Sequence, residues 1–493
     1  MNPSWTVTAI LLVLGTTACA EESRPNILFL FADDQCYDTI RELGNSEVET
    51  PNLDRLAREG TAFTNAYNMG SWTPAVCVAS RTMLVTGRSV WKARATDLPD
   101  LARAEQSWPQ LLHSAGYETY MAGKWHIGRL KTNAVFDHVV HERPGMPNQT
   151  DEGYDRPVKG QPDSWSPSDP KFGGYWKGGR HWSEVLGDDA TQFLEDASKR
   201  DKPFFMYLAF NAPHDPRQSP QRFVDMYPQQ GIKLPANFQP EYPHKQAIGC
   251  YRVPDRKAGE SATKFLRDEH LAPWPRTPYS VRVHRQEYYA IISHMDEQIG
   301  RIIDALDRSG KRDNTYIIFT ADHGLACGQH GLIGKQNMYE HSMRLPLILV
   351  GPGVPAGQRC DAPVYMQDVM PTTLELAGVK KPAGVDFTSL IPFLDDPTRP
   401  GEYEAIYGCY KKDLQRMIRA DQWKLIVYPQ AKTVRLFDLK NDPMEQHDLA
   451  NEPQHNETVA RLFKRLLKLQ QEMDDELELT SVFPQFVGQG TIE

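Results

Sequence analysis

Cysteine is sparse in this chain and never clustered. Seven occur in 493 residues, as Cys19, Cys36, Cys77, Cys250, Cys327, Cys360 and Cys409. No two stand in a CxxC spacing, which argues against a cysteine zinc module and against a dense disulfide scaffold. A surplus of positive charge is also missing. The formal net charge is −9 and no basic stripe stands out, so nucleic acid is not an expected partner. Beyond the first twenty residues no run is apolar enough to span a bilayer. There is no internal repeat and no low-complexity tract. What is present is an ordinary globular composition, 40% hydrophobic and 24% charged, with 37 prolines and 34 glycines that imply long, shaped loops. The length suits two or three domains, or one large α/β domain with an appendage.

The N-terminus reads as an export signal over residues 1–20. "TVTAILLVLGTTACA" carries an apolar stretch too short to cross a membrane but suited to a signal-peptide core, and it ends in small residues before Glu21. Cleavage there predicts a periplasmic or secreted protein with no transmembrane anchor in the mature chain. Lipid attachment at Cys19 is the alternative, disfavoured because Thr16 stands where such sites usually carry Leu.

Four apolar runs end in polar clusters. "NILFLFADD" (26–34) stops at Asp33 and Asp34, "ETYMAGKWH" (118–126) at Lys124 and His126, "PFFMYLAFNAPH" (203–214) at His214, and "TYIIFTADH" (315–323) at Asp322 and His323. Long apolar runs without alternation suit strands covered on both faces. Helical patterns lie between them. "TPNLDRLAREG" (50–60) offers Thr50 as a cap, Pro51 in the first turn and Gly60 as a stop, and "SWPQLLHSAG" (107–116) repeats that logic. Residues 286–310 place Tyr288, Ile291, Ile292, Met295, Ile299, Ile302, Ile303 and Leu306 near helical spacing. The alternation predicts an α/β fold, a large mostly parallel sheet flanked by helices. In such sheets ligands sit beyond the carboxyl ends of the strands, so the four clusters are expected to converge. Two long insertions, 137–185 and 216–285, are read as irregular. A smaller C-terminal α+β subdomain is expected over 396–493, ending in a helix over 457–478, after a catalytic domain over 21–395.

Asp33 and Asp34 are adjacent carboxylates, and two like charges so close need a cation or a shared proton. A hard divalent ion such as Ca²⁺ or Mg²⁺ would satisfy them, with Asp322 as a further oxygen donor. Alone, such a pair is more simply an acidic loop; two acidic strand ends on one sheet favour metal. Arg81, Lys124, His126 and Lys335 form a cationic half, suited to stabilising a transferred phosphoryl or sulfuryl group. Each taken singly reads equally as a salt-bridged surface side chain. His214, in the Pro-framed "NAPHDP", is a candidate acid for a leaving alcohol, or a loop histidine that only packs.

"CVASR" followed by "TMLVTGR" resembles the maturation motif of type I, formylglycine-dependent sulfatases, of the alkaline-phosphatase-like superfamily. Cys77, Ala79, Ser80 and Arg81 fit its first half and Thr86, Gly87 and Arg88 its second, with Ala79 where Pro is commoner. "RPNILFLFADD", "TPNLDRLAREGTAFTNAY", "GYETYMAGKWHIG", "NAPHDP", "TADHG", "GLIGK", "DVMPTTLELAG" and "DLKNDPMEQHDLA" resemble further family blocks in the family's order. The resemblance implies that a formylglycine-generating enzyme oxidises Cys77, usually before folding. It implies that the hydrated aldehyde attacks sulfur, forms a covalent sulfo-enzyme and then releases sulfate. By the same resemblance Asp33, Asp34, matured Cys77, Asp322 and His323 would hold one Ca²⁺ per subunit. Arg81 would support the diol, Lys124 and Lys335 would hold sulfate oxygens, His126 would assist collapse of the ester, and His214 would protonate the leaving group. A thiol suits a hard-oxygen site poorly, and a helix starting at Cys77 would aim free N–H groups at an anion.

The expected function is therefore an exported sulfatase acting on sulfated polysaccharides or oligosaccharides. Trp165, Trp176 and Trp182, in a Gly-rich insertion with Lys177, Arg180 and His181, could stack on and contact a sugar, or merely pack the loop. Two other readings are a phosphate or phosphonate monoester hydrolase on the same scaffold and a catalytically silent glycan-binding relative.

Overall fold

The computed structural model describes residues 24–147, 149–252, 263–264 and 266–487. The expected leader and Cys19 lie outside the described residues. Along the chain, β1 (Asn26–Asp33) leads to α1 (Pro51–Glu59), β2 (Thr61–Tyr67), α2 (Val76–Thr86), α3 (Trp108–Ser114), β3 (Glu118–Lys124) and β4 (His138–Arg143). There follow α4 (Trp182–Ser198), β5 (Phe204–Pro213), α5 (Pro278–Arg308), β6 (Thr315–Ala321), β7 (Leu347–Val350) and β8 (Gln358–Tyr365). The last part holds β9 (Ile406–Tyr410), β10 (Gln415–Ala420), β11 (Trp423–Tyr428), β12 (Thr433–Asp438) and α6 (Asn456–Glu472).

The large sheet has the order β2-β7-β6-β1-β5-β3-β4, with β8 beside β2 and the short segment Arg344–Leu345 at β2's edge. β4, β3, β5, β1 and β6 are mutually parallel, whereas β7 runs antiparallel to both β6 and β2. The expected mostly parallel sheet is present. β1 is buried along its whole length because both faces are covered. Ile27, Phe29 and Phe31 pack with Trp108 and Leu112 of α3 on one side. Leu28, Leu30 and Ala32 pack with Leu53 and Leu56 of α1 and with Ile291, Met295 and Ile299 of α5 on the other.

Local expectations differ from the structure at four places. The segment 138–143, read as part of an irregular insertion, is the parallel edge strand β4; its residues are mostly half-buried or exposed, so it lacks the continuous apolar run that marks the inner strands. α5 begins at Pro278 rather than 286, because Thr277 accepts the N–H of Ser280 (3.1 Å) and Pro278 occupies the first turn. Thr50 makes no capping bond to α1. Asp296 of α5 takes that role, accepting from Asn52 N (3.1 Å) and Leu53 N (2.8 Å). α6 stops at Glu472, before the expected 478; Asp474 adopts φ 59° and Asp475 is drawn onto Arg416 (2.6 Å).

The C-terminal part is α+β, as expected, with β12-β11-β10-β9 as a meander. Its fifth strand, however, is Gly70–Ser71, which runs parallel to β9 with Gly70 opposite Cys409. The backbones approach so closely that a Cβ at Gly70 would lie 1.9 Å from the Cys409 carbonyl oxygen. Five residues after Ser71 the chain enters α2. No helix among the described residues is long and apolar enough to cross a membrane.

Candidate active site

The carboxyl ends of β1, β3, β5 and β6 meet at one buried site. At the end of β1, Asp33 and Asp34 are both buried. Asp34 has φ 68°, a conformation an L-residue adopts only when its surroundings fix it. Here its N–H donates to Asp322 Oδ1 (3.1 Å) and its carbonyl accepts from Tyr288 Oη (2.7 Å). Asp34 Oδ1 is buried without a hydrogen-bond partner. Asp322, just past β6, accepts from Arg81 Nε (2.9 Å).

Cys77 is the second residue of α2 and is buried. Its sulfur lies 3.3 Å from Asp33 Oδ1 and 3.3 Å from Lys335 Nζ. Lys124, at the end of β3, pairs with Asp33 Oδ2, and Lys335 with Asp34 Oδ2 at 2.5 Å. Arg81, one turn into α2, also donates to the Lys124 carbonyl (2.7 Å) and lies over the Phe31 ring at 4.6 Å. His214 Nδ1 faces the Asp215 carbonyl at 2.6 Å, and its Nε2 lies 3.5 Å from Asp34 Oδ2. His126 has φ 59° and a buried Nδ1 without a partner; a Cβ on Gly145 would lie 2.0 Å from its Nε2. His323 Nδ1 faces the Gly324 carbonyl at 2.7 Å.

Thus nine of the ten residues singled out in the sequence are buried and His126 is half-buried, and three carboxylates face three cations. Oxygen or sulfur atoms of Asp33, Asp34, Cys77 and Asp322 lie within 4.8 Å of one another, a set that could hold a metal ion. His323, expected among the ligands, stands outside that set. Its Nδ1–H donates to a carbonyl, which leaves Nε2 as the free lone pair, the arrangement common to metal-binding histidines.

Burial governs the protonation of the cluster. It pushes Asp33 up to about 6, with Asp322 adding to the rise, and Asp34 well above the usual carboxylate range despite Lys335. For Asp322 burial acts in the same sense but Arg81 and Lys124 outweigh it, so that carboxyl is held low. The Cys77 thiol is raised well above its ordinary value by burial and by Asp322 and Asp33. A cysteine here is a neutral thiol, not a nucleophilic thiolate. Burial, then Lys124 and Arg81, lowers His126 to about 3. Burial also lowers His214 well below its ordinary value and His323 to about 4.

Several residues of the site carry no signal in the sequence. Asn68 donates to Ser80 Oγ (2.7 Å) and to the Asp322 carbonyl (2.6 Å) while accepting from Gly70 N (2.7 Å). Tyr288 sits in the helical apolar spacing of α5, yet its hydroxyl holds the backbone of Asp34. Of the tryptophans of the insertion, Trp165 is buried and Trp176 and Trp182 are half-buried. Trp165 is buried on Phe172 (4.8 Å) and Trp182 lies under Arg143 (4.3 Å). His181 is buried, with Nε2 on the Gln218 carbonyl (2.8 Å), so it is not free for a ligand as the sequence suggested, whereas Arg180 is exposed and pairs with Asp188 at the surface. The six described cysteines are all free. A cleft of about 690 Å³ between Trp91 and Glu476 contains none of the clustered residues.

A family model described as Sulfatase matches residues 25–379, and one described as N-sulphoglucosamine sulphohydrolase, C-terminal, matches residues 328–472. An N-acetylglucosamine-6-O-sulfatase of Bacteroides thetaiotaomicron is 28% identical over 96% of this chain and 92% of its own length. An ulvan-active sulfatase of Formosa agariphila is 26% identical over 91% of this chain and 82% of its own. Among solved structures, a protein bound to its substrate D-glucosamine-2-N,6-O-disulfate superimposes with a TM-score of 0.71 at 25% identity, covering 92% of this chain and 99% of that one. A phosphonate monoester hydrolase of Agrobacterium radiobacter shares the fold, with a TM-score of 0.69 at 20% identity, covering 91% of this chain and 96% of that one.

Proposed function

Because the chain belongs to the sulfatase family, we propose that it hydrolyses sulfate esters of sulfated sugars, with Cys77 converted to formylglycine as the source of the nucleophile. The observation that carries this reading is the setting of the Cys77 sulfur, buried between a carboxylate and an ammonium at the mouth of a helix. Burial keeps the thiol protonated, so that setting gives a thiol no nucleophilic role and suits an oxygen. The sugar class is supported by the relatives named above.

Asp33, Asp34, Asp322 and the oxygen of matured residue 77, with His323 beside them, would hold one Ca²⁺. The fit rests on hard oxygen donors and on the partnerless Asp34 Oδ1. When bound, Ca²⁺ would supply charge stabilisation and the hydrated formylglycine an attacking hydroxyl. The rest falls to the chain. Lys124 and Lys335, which lie on Asp33 and Asp34, would turn to the sulfate oxygens. Arg81, held by Asp322 and the Lys124 carbonyl, would orient the diol. His126, neutral at physiological pH, can accept a proton as the ester collapses. His214 donates through Nδ1 to a carbonyl and burial keeps it neutral here, so Nε2 would first have to take up a proton from solvent, beside Asp34 and the anionic ester, before passing it to the leaving alcohol. A leader over residues 1–20 supports a periplasmic or secreted location, and a formylglycine-generating enzyme is the required partner.

The direct test is mass analysis of the peptide around Cys77 in protein from its native host. Formylglycine lacks the thiol sulfur and resists alkylation. Cys77→Ala should abolish sulfate release from a 6-O-sulfated glucosamine, by at least ~10³-fold given a role as nucleophile. A fully alkylatable Cys77 with intact activity would falsify the reading. A phosphonate monoester turned over faster than any sulfate ester would assign the site to phosphorus instead. Calcium should raise the melting temperature of the wild type, and Asp34→Asn should remove that response.

A further inference from the structure

The insertion between β5 and α5 reaches back into the site through three consecutive side chains. They lie on the short turn Arg267–Leu271. Arg267 forms a two-pronged pair with Asp215, the residue after His214, with one nitrogen on Oδ2 and the other 2.9 Å from Oδ1. Asp268 Oδ2 accepts from Gln336 Nε2 at 3.0 Å. Glu269 accepts the N–H groups of Gly334 (2.9 Å) and Ile333 (3.2 Å) and is itself held by Arg276 (2.5 Å). Both chain neighbours of Lys335 are therefore gripped, and so is the chain neighbour of His214.

Asp215, Asp268, Glu269 and Arg276 are buried and Arg267 is half-buried, so these are charge-assisted bonds with at least one buried partner each, the strong kind. Removing one partner leaves the other charge uncompensated. The fit is close, since a Cβ on Gly334 would lie 2.9 Å from both Asp268 Cβ and Glu269 Oε1. Arg267 and Asp268 also pair with each other at 2.5 Å, while the bond from Gln336 to Asp268 does not involve Arg267.

We propose that Arg267, Asp268 and Glu269 form a bracket that positions His214 and Lys335 for sulfate ester hydrolysis. The proposal rests on the roles given to those two residues above. It makes the insertion a positioning element, in which Arg267 sets the imidazole of His214 through Asp215 and Glu269 sets the loop that carries Lys335. An error of about 1 Å in such groups costs on the order of a hundredfold in rate.

The test uses full-length matured protein and two esters. 4-Nitrophenyl sulfate has a leaving group that needs no proton, whereas a 6-O-sulfated glucosamine releases an alcohol that does. Arg267→Gln should lower kcat on the sugar sulfate by roughly 10–100-fold and leave the aryl sulfate within about threefold, because only the first depends on His214. Glu269→Gln should raise KM for both esters, and the inhibition constant of inorganic sulfate, by about tenfold, the loss of one charge-assisted contact. If Glu269→Gln does not fold, Glu269→Asp, which keeps the charge and shortens its reach, is measured in its place. Equal losses of kcat on both esters in Arg267→Gln, or an unchanged KM and sulfate inhibition in the Glu269 variant, overturn the bracket. A wild type that releases sulfate from neither ester overturns the sulfatase reading, and the bracket with it.

Discussion

Gly145 touches His126, and no side chain could stand in its place. A methyl group there would lie 2.0 Å from the imidazole Nε2, well inside contact distance, so Gly145→Ala must move either the ring or the loop. The loop lies at the surface of the site and α2 and β3 are untouched. The expected result is a fall in kcat of about tenfold or more with little change in melting temperature, measured on any sulfate ester the wild type turns over. Asn68→Ala should behave in the opposite way. Its amide serves the Ser80 hydroxyl, the Asp322 carbonyl and the Gly70 N–H, and losing these buried bonds costs about 1–3 kcal/mol. A denaturant titration should show that loss in stability. The ten residues of the site were legible in the sequence because each ends an apolar run or sits in a recognisable block. Asn68, Tyr288 and Arg267 were not, since a polar side chain does not name its partner: Tyr288 reads as one more apolar position until the chain of Asp34 is laid beside it.

Helix α1 is capped from outside. Asp296, in the middle of α5, receives the first N–H groups of α1 and the amide of Asn52 at 2.9 Å. Gly300 makes room for that contact, since a Cβ there would lie 2.5 Å from Asn52 Oδ1. Burial raises Asp296 to about 7 in spite of those donors. A carboxyl raised on folding binds its proton more tightly in the native state, so the native state binds more protons than the unfolded chain between the unfolded value near 4 and about 7. Its contribution to stability therefore falls as pH rises through that window. Asp296→Asn, which carries no such proton, should flatten the dependence of unfolding free energy on pH between 4 and 7, as read by denaturant melts. Sequence reasoning found α1 and α5 from their apolar spacing and Pro-Gly punctuation. It assigned the cap to Thr50 because capping is usually local, and only tertiary packing could give it to a residue more than two hundred positions away.

At the scale of the whole molecule the two sheets are joined by one stretch of chain, in which β2 of the large sheet leads on to Gly70–Ser71 of the small one. In the sequence the C-terminal strands read as an appendage, because their short alternating runs and turns differ from the long buried runs before them. In space Gly70–Ser71 joins β9 and then leads directly into α2, so the appendage is built onto the chain that carries Cys77. Gly70→Ala should therefore be costly, about 3 kcal/mol or more, since it adds a clash with the Cys409 carbonyl to a φ of 86°. Hydrogen exchange should show the loss first in β9 and the start of α2. The same connection sets a clock. Residue 77 leaves the ribosome roughly 330 residues before the strand that closes over its neighbour. At the usual ~5–20 residues per second that gap lasts on the order of tens of seconds. Until then the small sheet lacks β9 and the segment leading into α2 is only half fastened. Under the proposed function, an oxidising enzyme would meet the nascent cysteine within that interval, and the order of the strands along the chain would keep it open.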